Sequence, residues 1–301
     1  MKQLAINAGI ALLVCLSLTQ TLFAAEYKIA VRAINGIEAG TKQWQPTIDY
    51  LNQAIPEHNF ILVPIVKLQD IQASVAVAEV DFALTNPSSH VEMMELYQTT
   101  ALATLNNKRG SFSLNKFGSI IFTLADRDDI LTLDDLKNKT LIAVSEPAFG
   151  GWQTAWLELL KHNINPYNDL KDLKFANGIQ SDVVFSVLNG KADAGVVRTD
   201  QLERMAEKNE IDLRYFRILN NKHITDFPFF LSTDLYPEWP FSALSHVSNS
   251  VTEKVKVALF SITPDTTAAV NGHYNNWLEA EDYQPVKNLM IKLRTGPFTQ
   301  Y

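Results

Sequence analysis

Cysteine is almost absent from this chain. Its 301 residues contain one, Cys15, inside an N-terminal stretch that reads as a leader. Lys2 is followed by an uncharged segment, Gln3 to Ala25, with an apolar middle at Ile10–Leu16 and an ending of Leu22-Phe23-Ala24-Ala25 before Glu26. A basic head, an apolar middle and small terminal residues make a secretory signal peptide, residues 1–25, cleaved after Ala24 or Ala25. With that leader goes the cysteine. Disulfides, thiolate catalysis and cysteine zinc sites are then excluded. Later hydrophobic runs are short: the most apolar, Ser119 to Ala125, has the length of a strand rather than the ~20 residues of a membrane span.

Positive charge is in deficit. Lys and Arg number 26 against 33 acids, for a net charge of −7, which excludes a general nucleic-acid binder. A local field can still oppose that net charge and hold one small anion. Gly and Pro, 12 each, are too few for a fibrous or low-complexity chain. Catalytic motifs are missing as well. The histidines His58, His90, His162, His223, His246 and His273 show no metal-ligand spacing, and HExxH, GxSxG and P-loop patterns do not occur. Asp126, Asp128 and Asp129 lack the Gly and Glu of a calcium loop. No metal, no cofactor and no enzymatic activity are expected.

What is present is an alternation of strands and helices. Tyr27–Arg32 alternates like a strand. Trp44, Ile48, Leu51 and Ile55 follow at helical spacing, with Pro46 in the first turn and Pro56 as a stop. Asn59–Val66 is a continuous apolar run, the mark of a strand buried on both faces. A helix over 68–78 and a strand over 81–84 complete β-α-β-α-β, which implies a parallel sheet with helices on both faces. A second cycle starts near residue 133, with strands over 140–144, 173–176 and 194–197. The tail from Trp239 to Leu293 reads as mostly helical. The expected fold is α/β: two lobes with a ligand cleft between them. Lobe 1 comprises residues 26–118 and 226–301, and lobe 2 residues 119–225.

In open α/β sheets ligands sit beyond the carboxyl ends of the strands. Four loops follow such ends: Thr85–His90, Ser145–Gly151, Asn177–Ser181 and Arg198–Asp200. Each leads into a helix start, whose free N–H groups and partial positive charge suit an anion. Each loop is equally a set of ordinary helix caps. The candidate ligand-binding residues are Asn86, Ser88, Ser89 and His90 from the first loop, and Gly150, Gly151 and Trp152 from the second. Ser181 comes from the third, Arg198 and Thr199 from the fourth, and Arg32 from the end of the first strand. Gly150-Gly151 either admits a ligand close to the backbone or makes a turn. Arg198 either grips an anion with two N–H groups or pairs with Asp200 or Glu203. Trp44, Phe149 and Trp152 either line the cleft, as in an aromatic cage for a quaternary ammonium ligand, or pack in the core.

Several blocks resemble a known family. Asp81–Pro87, Gly150-Gly151, Gly190–Gly195 and Val197–Asp200 resemble the phosphonate-type periplasmic substrate-binding proteins. Ser232–Phe241, Trp277, Asp282-Tyr283, Pro285-Val286 and Leu293-Arg294 are similar to the periplasmic input domains of tetrathionate-sensor-type histidine kinases. The resemblance implies a type II periplasmic-binding fold and a small oxyanion ligand, phosphonate- or phosphate-like or a sulfur oxyanion. It implies a membrane partner too, either an ABC permease or a sensor histidine kinase. Two places depart from the pattern. His90 stands where many relatives have Tyr, and Gly110-Ser111-Phe112-Ser113 is not the Ser/Thr loop that holds phosphonate. The sensor kinases continue into a membrane helix, so a chain ending at Tyr301 is expected to work as a free-standing periplasmic subunit. The rival readings are a binding protein for a cationic or zwitterionic metabolite, and an exported enzyme on the same scaffold.

Overall fold

The computed structural model describes residues 25–300. All of the leader except Ala25 lies outside the described residues, as does the leader's cysteine. In chain order the first part holds β1 (Ala25–Arg32), α1 (Ile37–Ala54), β2 (His58–Ile65), α2 (Leu68–Ala76), β3 (Phe82–Leu84), α3 (Pro87–Tyr97), β4 (Thr100–Arg109), β5 (Phe112–Leu114) and β6 (Lys116–Phe117). The middle holds β7 (Ser119–Leu124), β8 (Thr140–Ala143), α4 (Thr154–Lys161), β9 (Asp172–Phe175), α5 (Gln180–Leu188), β10 (Ala194–Arg198), α6 (Gln201–Glu207) and β11 (Phe216–Leu219). The last part holds β12 (Tyr236–Pro237), β13 (Pro240–Ala243), α7 (Asn249–Phe260), α8 (Thr267–Gly272), β14 (Tyr274–Glu279) and α9 (Gln284–Leu293).

Two sheets result. The first has the order β14-β4-β13-β3-β1-β2, with β5 on the end of β4; the second has the order β11-β7-β10-β8-β9. In the first, β1 runs parallel to β2 and β3, whereas β13 is antiparallel to β3 and β4. The tail holds the expected helices, α7 to α9, but it also supplies β13 and β14 to the first sheet, which is mixed rather than parallel. The Asn59–Val66 run also differs from its expected place. It forms β2, an edge strand of half-buried residues. Its Pro64, which lacks an N–H, is tolerated in such a strand.

Each sheet buries its own core. Ile29, Trp44, Ile48, Leu51, Phe82, Phe241 and Trp277 belong to the first. Helix α1 presents Trp44, Ile48 and Leu51 to that sheet, the face that their spacing sets. Trp152, Ile121, Leu141, Leu159 and Val196 belong to the second.

The chain passes between the sheets at two places, Lys116–Gly118 and residues 220–236. Strands β6 and β12 pair side by side there, Phe117 against Tyr236 and Lys116 against Pro237. Helix α9 packs beside this ladder, and Val286, Leu289 and Met290 share a core with Val91 of α3, Phe149 and Leu157. The structure is thus two lobes joined by a paired double crossing, with the last helix wedged against both.

Gly118 closes this crossing tightly. A Cβ there would sit 2.5 Å from Thr233 Oγ1 and 2.7 Å from the Asp234 carbonyl oxygen, a backbone atom. Gly118→Ala is expected to destabilise the protein by about 1–3 kcal/mol. Urea unfolding would show it as a lower midpoint with an unchanged slope.

Candidate functional site

The strands that run parallel in both lobes direct their carboxyl ends at one another across a cleft. Arg32 and Ile34 come from the end of β1, and Asn86 from the end of β3. From the other lobe come Val144, Ser145 and Ala148–Gly151 after β8, Gly178 and Gln180 after β9, and Arg198 at the end of β10. Phe117 and Trp239, from the two crossings, form part of the wall, and Leu68 completes it. The cleft has a volume of about 100 Å³. Two arginines and no acid line it.

Those arginines differ. Arg198 is spoken for. Its guanidinium lies 4.1 Å over the Phe117 ring and donates twice to the fully buried Glu238, with Nη1 at 3.3 Å from Oε2 and Nη2 closer to Oε1. The ion pair foreseen within the lobe is real in part: Asp200 lies 3.9 Å from Nε, while the stronger partner, Glu238, sits 40 residues away in sequence. Asp200 is itself held by Arg109 at 2.5 Å and Arg204 at 2.8 Å. Burial alone would raise the Asp200 carboxyl, but Arg198, Arg109 and Arg204 hold it below its ordinary value.

Arg32 has no such partner. Among the described residues its side chain makes no ion pair and no hydrogen bond, and its Nη1 is buried. Burial lowers its pKa from the ordinary value, yet an arginine stays charged in a protein. An unpaired, partly desolvated guanidinium in a cleft without acids is a standing demand for an anion.

Helix starts supply the rest. Asn86 caps α3 by accepting from the Ser89 N–H at 2.8 Å, and its Nδ2 donates across the cleft to the Pro147 carbonyl at 3.1 Å. Pro87 occupies the first turn, where no N–H is needed. Gly150 and Gly151 open a wide helical turn, Phe149–Gln153, ahead of α4. Neither needs a positive φ; both need room. A Cβ on Gly150 would lie 2.5 Å from the Phe117 ring, and one on Gly151 2.6 Å from Val144. The Gly150 carbonyl is fixed by the Ser119 hydroxyl at 2.6 Å.

Of the residues singled out from the sequence, Arg32, Asn86, Gly150, Gly151 and Arg198 meet at the cleft. The others do not line it. Ser88 and Ser89 face a neighbouring cavity. His90 is 1 % exposed, bonded through Nδ1 to Ser242 Oγ at 2.9 Å and packed edge-on against Tyr283. Trp152 is fully buried in the core of its lobe, stacked on Trp156 and against Phe175. Trp44 is likewise buried, stacked on Tyr274, so neither tryptophan builds a cage in the cleft. Thr199 is buried at the crossing, its hydroxyl accepting from the Gly118 N–H and its own N–H donating to the Gly118 carbonyl. Ser181 lies one residue beyond the lining Gln180, whose Oε1 accepts from the Arg198 N–H at 2.8 Å.

Sequence reasoning did not mark Phe117 or Trp239 as site residues. Phe117 sits in a two-residue strand with no local signal. Trp239 lies in a block that is visible in the sequence but points to no particular place in the fold. Among the described residues no group of three or more His, Cys, Asp or Glu side chains is placed to hold a metal ion, and no helix is long and apolar enough to cross a membrane.

Comparisons with known proteins bear on the family and the fold. A family model described as "ABC transporter, phosphonate, periplasmic substrate-binding protein" matches residues 36–286. The tetrathionate sensor histidine kinase TtrS of Salmonella typhimurium is 32 % identical over 298 residues, covering 98 % of this chain and 48 % of that protein. The chain thus spans about half the length of this curated relative. A binding-protein component of an ABC phosphonate transporter from Pseudomonas aeruginosa superposes with a TM-score of 0.69 at 13 % identity, covering 90 % of this chain and 87 % of that one. PhnD1 from Prochlorococcus marinus, in complex with methylphosphonate, gives 0.68 at 14 % identity, covering 89 % and 98 %. At these identities the two structures establish the fold alone, the two-lobed type II periplasmic-binding architecture.

The burial of His90 carries a pH dependence of its own. Desolvation pushes its pKa down from 6.5 to about 4. Between those values the unfolded chain binds a proton at this position and the folded chain does not, so stability falls as pH drops through 6.5 toward 4. At pH 4.5 the loss relative to pH 7 is expected to be about 2 kcal/mol. Urea titrations of wild type and His90→Gln at both pH values measure it: the variant should lose less stability on acidification by about that amount.

Proposed function

The chain belongs to the family of phosphonate-type periplasmic substrate-binding proteins, and from that premise we propose that it binds a small oxyanion between its lobes without turning it over. The observation that carries this reading is Arg32: among the described residues, a cation without a partner, at the carboxyl end of β1, in a cleft lined by no acid. An incoming oxyanion pairs with that guanidinium and accepts from the donors beside it, among them the Asn86 amide and the Ser145 hydroxyl. Arg198 shapes the wall through its pair with Glu238 and is the secondary contact.

Apart from Gln180, the remaining side chains of the lining are apolar: Ile34, Leu68, Val144, Ala148, Phe149, Phe117 and Trp239. It excludes water and strengthens the charge contact. The cleft offers no nucleophile beside a base, which supports binding rather than catalysis. The cationic-metabolite reading loses its support, because a positive ligand would meet two guanidinium groups and no carboxylate.

The same premise bears on place and partner. We read the protein as periplasmic, with residues 1–25 as its export signal and lobes that divide near residues 118 and 226. A ligand that touches both lobes favours the form in which they meet. A membrane protein then reads that form, either an ABC permease or a sensor histidine kinase; the likeness to TtrS supports the kinase.

A thermal-shift panel tests the ligand class. It holds phosphate, phosphite, alkylphosphonates, sulfate, thiosulfate, tetrathionate, nitrate, betaine and choline. A ligand at 100 times its Kd stabilises by about 2.7 kcal/mol. The expected result is a shift with an oxyanion that Arg32→Ala abolishes while remaining folded. A shift confined to betaine or choline, or an oxyanion shift indifferent to Arg32→Ala, would sink the reading. Trp152→Ala separates core from contact: it should lower stability by about 3–5 kcal/mol and leave the oxyanion Kd nearly unchanged in calorimetric titration.

A further inference from the structure

Glu238 does not line the cleft, yet the charge of the cleft depends on it. Two guanidinium groups line that space, those of Arg32 and Arg198, and no carboxylate does. The pairing of Arg198 lowers the effective count from two to one. Glu238, 0 % exposed, accepts from both Nη1 and Nη2, and Asp200 lies 3.9 Å from Nε. Asp200 also serves Arg109 and Arg204, so three guanidinium groups share two carboxylates. One positive charge is left over in that cluster. Its most exposed member is Arg204 on α6, at 39 %, which does not line the cleft, so solvent screens the excess on that side. Among the described residues Arg32 has neither an ion pair nor a hydrogen bond through its side chain.

A singly charged anion beside Arg32 closes the balance. A second charge on the ligand would stand among Ile34, Phe117, Phe149 and Trp239 with no free cation to meet it. Charge taken out of water without a partner is costly. Size narrows the class further. The cleft's volume of about 100 Å³ equals roughly three waters, and lies below the ~150 Å³ of an apolar cavity that takes benzene. A tetrahedral head bearing one or two carbons suits that space, and an extended polyatomic dianion does not. The apolar side chains of the lining cover the alkyl group.

We propose that Glu238 sets the charge class of the ligand. By neutralising Arg198 it fits the cleft to a singly charged oxyanion with a short alkyl group, such as a short alkanesulfonate, in preference to doubly charged ions such as sulfate. The inference rests on the oxyanion reading and adds the charge and size of the ligand to it. Exchanging Glu238 for its neutral isostere returns the charge of Arg198 to the cleft and alters no lining side chain.

Isothermal titration at constant ionic strength tests this. It compares methanesulfonate with sulfate, and follows methylphosphonate from below to above its second ionisation. Methanesulfonate keeps one charge throughout and controls for changes in the protein; no His lines the cleft. Wild type should bind methanesulfonate about tenfold or more tighter than sulfate, and should lose a similar factor for methylphosphonate as that ligand gains its second charge. In Glu238→Gln the preference should shrink or reverse. Tighter binding of sulfate or of doubly ionised methylphosphonate by wild type overturns the proposal. So does a folded Glu238→Gln whose preference is unaltered. Should that variant not fold, the two wild-type comparisons decide alone. A preference for the doubly charged ion leaves the oxyanion reading standing, whereas absence of any oxyanion binding, or binding indifferent to Arg32→Ala, ends that reading and this inference with it.

Discussion

The buried pair of Arg198 and Glu238 governs the rest of the molecule. Arg198 ends the strand β10, Phe117 beneath it lies in one crossing between the lobes, and Glu238 follows β12 in the other. Asp200 extends the cluster to Arg109 on β4 and to Arg204 on α6. Three guanidinium groups and two carboxylates thus gather where the chain changes lobes. Arg198, Arg109, Asp200 and Glu238 are largely taken out of water, Arg204 less so, and the charges compensate one another. Removing one member of such a group costs about 3–5 kcal/mol, because a buried charge is left unmatched. The cluster therefore fixes how the crossings lie and, with them, how the two cleft walls face each other.

That arrangement has an electrostatic consequence. With Arg198 neutralised by Glu238, the uncompensated charge in the cleft is that of Arg32, which sits on the opposite lobe. The net charge of the chain, −7, says nothing of this. What matters is the sign of the groups within a few ångströms and the low dielectric around them. Among the described residues, one cavity displays a cation without a partner and the adjoining one two carboxylates, with Asn86 of the first bonded to the Pro147 carbonyl of the second. An acidic protein can hold an anion because its acids are engaged elsewhere or face other spaces.

Much of this was legible in local sequence, and the exceptions share one cause. The β-α-β order, the face of α1 and the Asn86 cap follow from spacing and residue type within a few positions. So does the placement of loops at the carboxyl ends of strands. What depends on distant pairing did not show. The four-residue β13 begins at a proline and exists because β3 and β4 flank it on either side; nothing local marks it. The β2 run, read as doubly buried, is an edge strand because of the sheet order. Arg198 has two acids near it in sequence, Asp200 and Glu203, yet its principal partner is Glu238. His90 follows two serines at a helix start and looked available to a ligand. Its position on α3 instead turns it inward to Ser242 and Tyr283.

The ligand's leverage on the lobes follows from what is left unmet. Several contacts already join them without any ligand: the Asn86 amide to Pro147, Arg109 to Asp200, and α9 packed between α3 and α4. A ligand that merely added to these would bind but signal little, since closure is already supported. Arg32 changes the balance. On the oxyanion reading proposed above, an anion would relieve its desolvation only where the walls are close enough to supply the remaining donors. Differential affinity for the closed form is what any population shift requires. On that reading, an arginine without a partner among the described residues, opposite a satisfied one, would produce it by charge alone, without a moving part of its own.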